Sequence, residues 1–158
     1  MSLFLSTFEN RIDKKGRVSV PASFRLSLVN DHYQGFVAFR SHKYQSLECC
    51  SYQRMQKLSE SLDDFNMFSD EHDELAATIF ADSHQIPLDS DGRVILPRAL
   101  LDYAGIADRI AFVGRGSTFQ IWNPEDFAIQ QEQARKNLLE KKTTLRLKSS
   151  NGSESGAA

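Results

Sequence analysis

The sequence has few cysteines and no long apolar run, and each shortage excludes a class of protein. Its two cysteines, Cys49 and Cys50, are adjacent, so they form neither a disulfide framework nor a CxxC metal site. No run approaches the roughly 18 apolar residues of a membrane helix, and residues 1–10 lack the basic start and apolar stretch of a signal peptide. We therefore expect a cytoplasmic protein with no membrane partner.

Motifs of catalysis are absent as well. The chain contains no phosphate-binding loop and no dinucleotide fingerprint, and its four histidines are scattered without metal-ligand spacing. These absences predict that the protein is not an enzyme, needs no cofactor, holds no metal and takes no small-molecule substrate. The hydrophobic fraction of 41% is nevertheless large enough to support a globular core.

The charge of the chain is unevenly distributed. The net charge of −2 by itself argues weakly against a nucleic-acid partner. Residues 1–30 and residues 131–158 each carry +3, whereas residues 31–80 carry −5 and residues 81–130 carry −3. The positive charge is therefore concentrated at the two ends of the sequence, where it can attract a polyanion.

The most informative pattern is an internal repeat. DKKGRVSVP at residues 13–21 returns as DSDGRVILP at residues 89–97, an offset of 76 positions, and we call the two halves copy one and copy two. Weaker similarity continues into two pairs of apolar segments: 36–39 with 110–113, and 47–50 with 119–122. Two copies are too few for a solenoid, so we expect two half-folds that close on each other.

Each copy predicts a β-hairpin followed by a helix. Asp13 can accept hydrogen bonds from the following amides, and Gly16 can adopt the positive φ of a type I turn with a G1 bulge. Pro21 lacks an amide hydrogen, so it ends the strand and suits the start of a helix over residues 22–28. The equivalent residues of copy two are Asp89, Gly92 and Pro97.

Capping residues mark the remaining helices. Ser51 and Ser69 can cap two helices after copy one, and Asn123 can cap a helix that runs to about Lys142. The predicted organisation has four parts: a first repeat at 1–62, a connecting helical segment at 63–81, a second repeat at 82–142 and a disordered tail at 143–158.

The first copy resembles the DxKGRxxxPxxFR signature of the MraZ family, which it matches from Asp13 to Arg25. The second copy, with FQIWN at residues 119–123, is similar to the second half of that family, and the resemblance covers residues 1–141. It implies an α+β fold in which two tandem AbrB-like swapped-hairpin repeats form a pseudo-symmetric β-barrel with flanking helices. It also implies a homo-oligomer in the form of a ring.

The function that this resemblance implies is transcription regulation in a bacterium. Members of the family bind repeated short sites in double-stranded DNA, upstream of the division and cell-wall gene cluster that usually begins with their own gene. We therefore expect double-stranded DNA as the partner and a nucleoid-associated location in the cytoplasm.

The turns of the two copies, residues 13–17 (tip one) and residues 89–93 (tip two), differ in charge. The family's DNA-contacting turn falls on Lys15 and Arg17, but Asp91 stands at the position equivalent to Lys15. Tip one carries a net charge of +2 and tip two −1, so a polyanion attracts the first and repels the second. We expect copy one to bind DNA and copy two to complete the fold. The expected DNA contacts are Arg11, Lys14, Lys15 and Arg17; the turn-shaping residues are Asp13, Gly16, Asp89 and Gly92; the structural residues are Pro21, Arg93 and Pro97.

Other interpretations stay open at this point. Arg17 and Arg93 occupy equivalent positions, so each could simply pair with the aspartate that starts its turn. An AbrB-type antitoxin or a protein-interaction scaffold would use the same fold for protein contacts. Double-psi barrels related to it include self-processing enzymes that cleave a Gly-Ser bond, although Gly116-Ser117 is more simply a turn between two strands.

Overall fold

Strands of copy one pair with strands of copy two in the computed structural model, which describes residues 2–148. The described residues form an α+β fold with antiparallel strands and five α-helices. In chain order the elements are β1 (Thr7–Arg11), β2 (Arg17–Ser19), α1 (Ala22–Leu28), β3 (Gly35–Arg40), β4 (Leu47–Cys50), α2 (Tyr52–Leu62), α3 (Asp70–Leu75), a π-helical turn (Ala76–Phe80), β5 (His84–Pro87), β6 (Arg93–Ile95), α4 (Arg98–Tyr103), β7 (Arg109–Gly114), β8 (Phe119–Trp122) and α5 (Pro124–Lys141).

The described chain divides into two units, one that ends at Phe127 and one that begins at Ala128. The second unit contains the rest of α5 and residues 143–148, which have no regular secondary structure. The remainder of the predicted disordered tail, residues 149–158, lies outside the described residues. None of the helices within residues 2–148 combines the length and the apolar character needed to span a bilayer.

Six strands form one antiparallel sheet in the order β1-β7-β8-β4-β3-β5, and β2 and β6 form a separate two-stranded ribbon. In the sheet, β1 of copy one pairs with β7 of copy two, and β5 of copy two pairs with β3 of copy one. The pairs β1–β7, β3–β5 and β2–β6 therefore each join one copy to the other, whereas β3–β4 and β7–β8 lie within a single copy. Neither copy completes its strand pairing alone.

The turns form as predicted, but the strands beside them do not pair with each other, so the prediction of simple hairpins is wrong beyond the turns. The Asp13 amide donates to the Arg17 carbonyl over 2.8 Å, yet β2 pairs with β6 and not with β1. The physical reason is burial, because Val18 lies opposite Val94 and each is 2% exposed. Pairing the two short strands removes both valines from water together.

The main core contains apolar residues from both copies. α1 contributes Phe24 and Leu28, and the equivalent positions in copy two, Leu100 and Ala104, are also fully buried. Phe24 packs against Phe119 of β8 with ring centroids 5.1 Å apart. Such aromatic pairs add about 0.5–1.5 kcal/mol beyond the burial of area, so this contact helps hold the two copies together.

The predicted helix starts are confirmed. The hydroxyl of Ser51 accepts a hydrogen bond from the third residue beyond it, and Ser69 does the same at the start of α3, each over 3.1 Å. The side chain of Asn123 accepts from the amide two residues later over 2.9 Å. Pro21 and Pro97 immediately precede α1 and α4, where their missing amide hydrogens leave no intrahelical bond unmade.

Candidate nucleic-acid interface

Tip one is held by the side chain of its first residue. Asp13 Oδ1 accepts hydrogen bonds from the amides of Lys15 over 2.9 Å and Arg17 over 2.8 Å. Gly16 has a φ of +83°, in the left-handed region that glycine adopts without strain. These contacts fold the turn so that Lys14 and Lys15 both remain exposed at its surface.

Tip two has the same backbone arrangement. Asp89 Oδ1 accepts from the amides of Asp91 and Arg93, each over 2.9 Å, and Gly92 has a φ of +76°. The two turns therefore share one hydrogen-bonding plan. They differ in the side chains that they present to solvent.

The aspartates that shape the turns are stabilised as carboxylates. The hydrogen bond from the Arg17 amide is the main cause that lowers the pKa of Asp13, and the Arg93 amide lowers the pKa of Asp89 in the same way. At neutral pH both side chains are therefore ionised. Each can attract the arginine that closes its turn.

Arg17 of tip one contacts fewer carboxylates than Arg93 of tip two. Arg17 Nε contacts Asp13 Oδ2 over 2.8 Å. The two terminal nitrogens of Arg17 have no bonding partner among residues 2–148. Arg93 instead contacts two carboxylates, Asp89 through Nε over 3.3 Å and Asp91 through Nη2 over 2.9 Å. The pairing suggested by the repeated arginine is thus present in both tips, but in tip one it leaves the outer edge of the guanidinium open.

The solvent face of the β2–β6 ribbon connects the two tips. Since the central valines point into the core, the flanking positions of both strands point to solvent. The register places Arg17 opposite Ile95 and Arg93 opposite Ser19, so both arginines lie on one face.

Ile95 also lies on this face, and the sequence analysis did not single it out. It is 60% exposed, although the residues before and after it, Val94 and Leu96, are buried. A signal was present in the repeat, because copy two has isoleucine at the position of Ser19 in copy one.

Arg11 lies at the end of β1, two residues before tip one, and is exposed. Its cross-strand partner is Arg109 of β7, and like charges placed opposite each other in a sheet repel. Arg109 Nη2 contacts Glu9 over 2.8 Å and Glu125 over 3.0 Å, which offsets this repulsion. No residue within the described chain pairs with Arg11, so its charge remains available to an anion.

Arg25, the last residue of the matched signature, lies over tip two. Its Nη1 donates to the carbonyl of Val20 over 2.7 Å, and a methyl group built on Gly92 would lie 2.6 Å from its Cδ. A methyl group built on Gly16 would meet nothing within 4 Å. Arg25 of copy one therefore packs against Gly92 of tip two, and Gly16 of tip one has no equivalent neighbour.

The described residues contain neither a metal site nor an activated thiol. No group of three His, Cys, Asp or Glu side chains within residues 2–148 is placed to hold a metal ion. Cys49 and Cys50 are buried in β4, and burial raises the pKa of Cys50 to about 12. Gly116-Ser117 forms the predicted turn between β7 and β8, where the Arg115 amide donates to the Thr118 carbonyl over 2.9 Å.

The proteins to which this chain is similar are named as regulators. The family model described as "MraZ protein, putative antitoxin-like" matches residues 79–149. The transcriptional regulator MraZ of Pelagibacter ubique is 48% identical over 134 residues, 85% of this chain and 86% of that protein. The regulator of the same name from Rickettsia bellii (strain OSU 85-389) is 41% identical over 92% of this chain and 98% of its own length. That from Gluconacetobacter diazotrophicus is 44% identical over 85% and 87%.

Proposed function

Because this chain belongs to the MraZ family, we propose that it is a DNA-binding transcriptional regulator whose tip one enters the major groove. In this arrangement Lys14 and Lys15 contact phosphates, and Arg17 places its two terminal nitrogens against O6 and N7 of a guanine. The observation that carries the proposal is the open guanidinium edge of Arg17 beside two exposed lysines. Arg11 adds a phosphate contact at the base of the tip.

Tip two, Pro21 and Pro97 have a structural role in this proposal. Asp89 and Gly92 shape tip two as Asp13 and Gly16 shape tip one. Arg93 pairs with both carboxylates of tip two, but one cation against two anions leaves this tip negative, so it repels phosphate. The relevant contrast is that the same turn carries cations in one copy and carboxylates in the other.

At the level of the fold, we propose that the two copies are swapped-hairpin repeats of the AbrB type that close into a pseudo-symmetric barrel. The strand pairs β1–β7, β3–β5 and β2–β6 support this arrangement, because each joins one copy to the other. The arrangement presents the β2–β6 ribbon and both tips from a single folded unit.

We further propose that several copies assemble into a ring that binds repeated sites, upstream of the division and cell-wall genes and of the protein's own gene. One tip covers few bases and binds weakly. Linking several tips makes the later contacts intramolecular, which raises avidity by about 10²–10⁴ when the tip spacing matches the repeats. This activity places the protein at the nucleoid in the cytoplasm.

The experiment that tests the proposal combines selection of bound sequences from random DNA with native mass spectrometry of the complex. Two variants at equivalent positions then serve as a matched pair. Lys15→Ala should reduce the slope of log affinity against log salt by about 0.9 for each tip engaged, because one phosphate contact is lost. Asp91→Ala should leave that slope unchanged or make it steeper. A chain that enriches no sequence, or equal losses in both variants, would contradict the proposal.

A protein-binding role is the second candidate, and the antitoxin-like description of the matching family model is the observation that favours it. An antitoxin would copurify from its own cells with a stoichiometric protein partner. Partner capture without any enriched DNA sequence would favour this candidate. We propose no enzymatic role, because the relatives that match this chain are named transcriptional regulators.

A further inference from the structure

The solvent face of the β2–β6 ribbon carries one apolar side chain among its four outward-facing positions, and that side chain is Ile95. Most surface residues of a ribbon that meets DNA are polar, since they face phosphates and water. Ile95 is 60% exposed, and its equivalent in copy one is Ser19. The isoleucine therefore has no counterpart in the symmetric position of the ribbon.

Ile95 is the direct cross-strand neighbour of Arg17. Residues that face each other in an antiparallel pair have their β-carbons about 4.5–5.5 Å apart, and their side chains lie on the same face. Successive nucleotides of one DNA strand are about 3.4 Å apart along the helix axis. Two side chains in one row of the ribbon can consequently reach neighbouring base pairs.

Thymine carries an apolar group in the major groove that a side chain such as Ile95 can contact. Its C5-methyl group is an apolar contact point, and protein methyl groups recognise it by excluding water. Building on the proposed function, we propose that Ile95 determines specificity by contacting the C5-methyl group of a thymine next to the guanine that Arg17 contacts. The row formed by Arg17 and Ile95 thus reads a guanine and an adjacent thymine as one unit.

The other row of the ribbon is not suited to the same task. Arg93 is bonded to the carboxylates of Asp89 and Asp91, and its cross-strand neighbour Ser19 has no methyl group to offer. The apolar side chain and the open guanidinium edge therefore coincide in one row. This coincidence distinguishes Ile95 from an exposed isoleucine placed at random.

The test uses duplexes of the sequence that the chain selects from random DNA. The guanine read by Arg17 is first located by replacing each guanine with 7-deazaguanine, which lacks N7, and comparing the chain with Arg17→Ala. Each thymine is then replaced with uracil, which lacks only the methyl group. We expect uracil next to the located guanine to weaken binding about fourfold at each tip engaged, the effect of one buried methyl group.

Two variants decide whether Ile95 makes the contact. Ile95→Ser installs the residue of copy one at an exposed position, so the fold should be retained, and melting curves check this. In this variant, uracil and thymine duplexes should bind equally. Leu26→Ser is the matched control, because Leu26 is 74% exposed but lies on α1 outside the ribbon, and it should keep the fourfold preference for thymine.

The outcomes separate this inference from the proposed function. If the chain selects no sequence, the proposed function fails and the role of Ile95 fails with it. If the expected guanine is found but no thymine shows a methyl effect, only the role of Ile95 is wrong. A methyl effect that persists in Ile95→Ser, or that disappears in Leu26→Ser, overturns it equally.

Discussion

Replacing Arg17 by alanine removes the one side chain that the proposed function places against a base, while the fold loses little. Its ion pair with Asp13 is formed between side chains that are 28% and 37% exposed. Exposed pairs of this kind contribute little to stability, so the melting temperature should fall by a few degrees at most. By contrast, a bidentate contact with guanine is worth about 1–3 kcal/mol, or roughly 5- to 160-fold in affinity at each tip.

Arg93→Ala is the matched comparison, because Arg93 has the same exposure of 28% at the equivalent position. Its loss leaves Asp89 and Asp91 without their shared cation, so folding or assembly should suffer more than DNA binding. Arg17→Lys separates charge from shape. It keeps the cation but cannot form the two parallel bonds, so nonspecific binding should survive while preference for the selected sequence is lost.

Mobility-shift titrations at several salt concentrations, paired with melting curves, measure all three variants. The expected pattern is a loss of sequence preference in Arg17→Ala and Arg17→Lys, and near-normal preference in Arg93→Ala. Equal loss of specific binding in Arg17→Ala and Arg93→Ala, at unchanged melting temperature, would refute the division of labour between the tips.

Three further predictions concern the turns, acid stability and the thiols. Gly16→Ala should cost about 1–2 kcal/mol from backbone strain alone, and Gly92→Ala about 1 kcal/mol more because its methyl group displaces Arg25; urea denaturation measures both. The hydrogen bond from the Arg40 side chain is the main cause that lowers the pKa of Asp82. The carboxylate therefore adds stability above about pH 4, and this stability is lost as the pH falls through the folded-state pKa. Denaturation curves of Asp82→Asn at several pH values should show weaker acid destabilisation. Cys50 should resist thiol reagents at about pH 8 until denaturant is added. Equal destabilisation by Gly16→Ala and Gly92→Ala would contradict the contact of Arg25 with Gly92. The same acid sensitivity in Asp82→Asn and the unchanged chain would contradict the role of Asp82. Rapid labelling of Cys50 in the native protein would contradict its burial.

The local features of the fold were predictable because each depends on residues close together in the chain. Asp13 and Gly16 form their turn through bonds that span at most four residues, and Ser51 caps its helix three residues away. Helix α1 covers 22–28 as predicted, since a proline before it and two buried side chains on one face define its extent. Such contacts need little knowledge of the remaining chain.

The strand partners could not be predicted in the same way. A run as short as β2 carries no information about which strand it will join, because any extended segment offers the same backbone donors and acceptors. The partner is selected by burial, which for Val18 depends on Val94, 76 positions away. For this reason the predicted pairing of β1 with β2 in a hairpin was wrong.

The sequence by itself determined the duplicated turns, the caps and the opposite charges of the two tips, because hydrogen bonds within a turn and formal charges are properties of neighbouring residues. Only the tertiary structure decided that Arg25 covers Gly92, and that Ile95 stands beside Arg17. Those neighbours come from different copies, and the shared burial of apolar side chains brings the copies together.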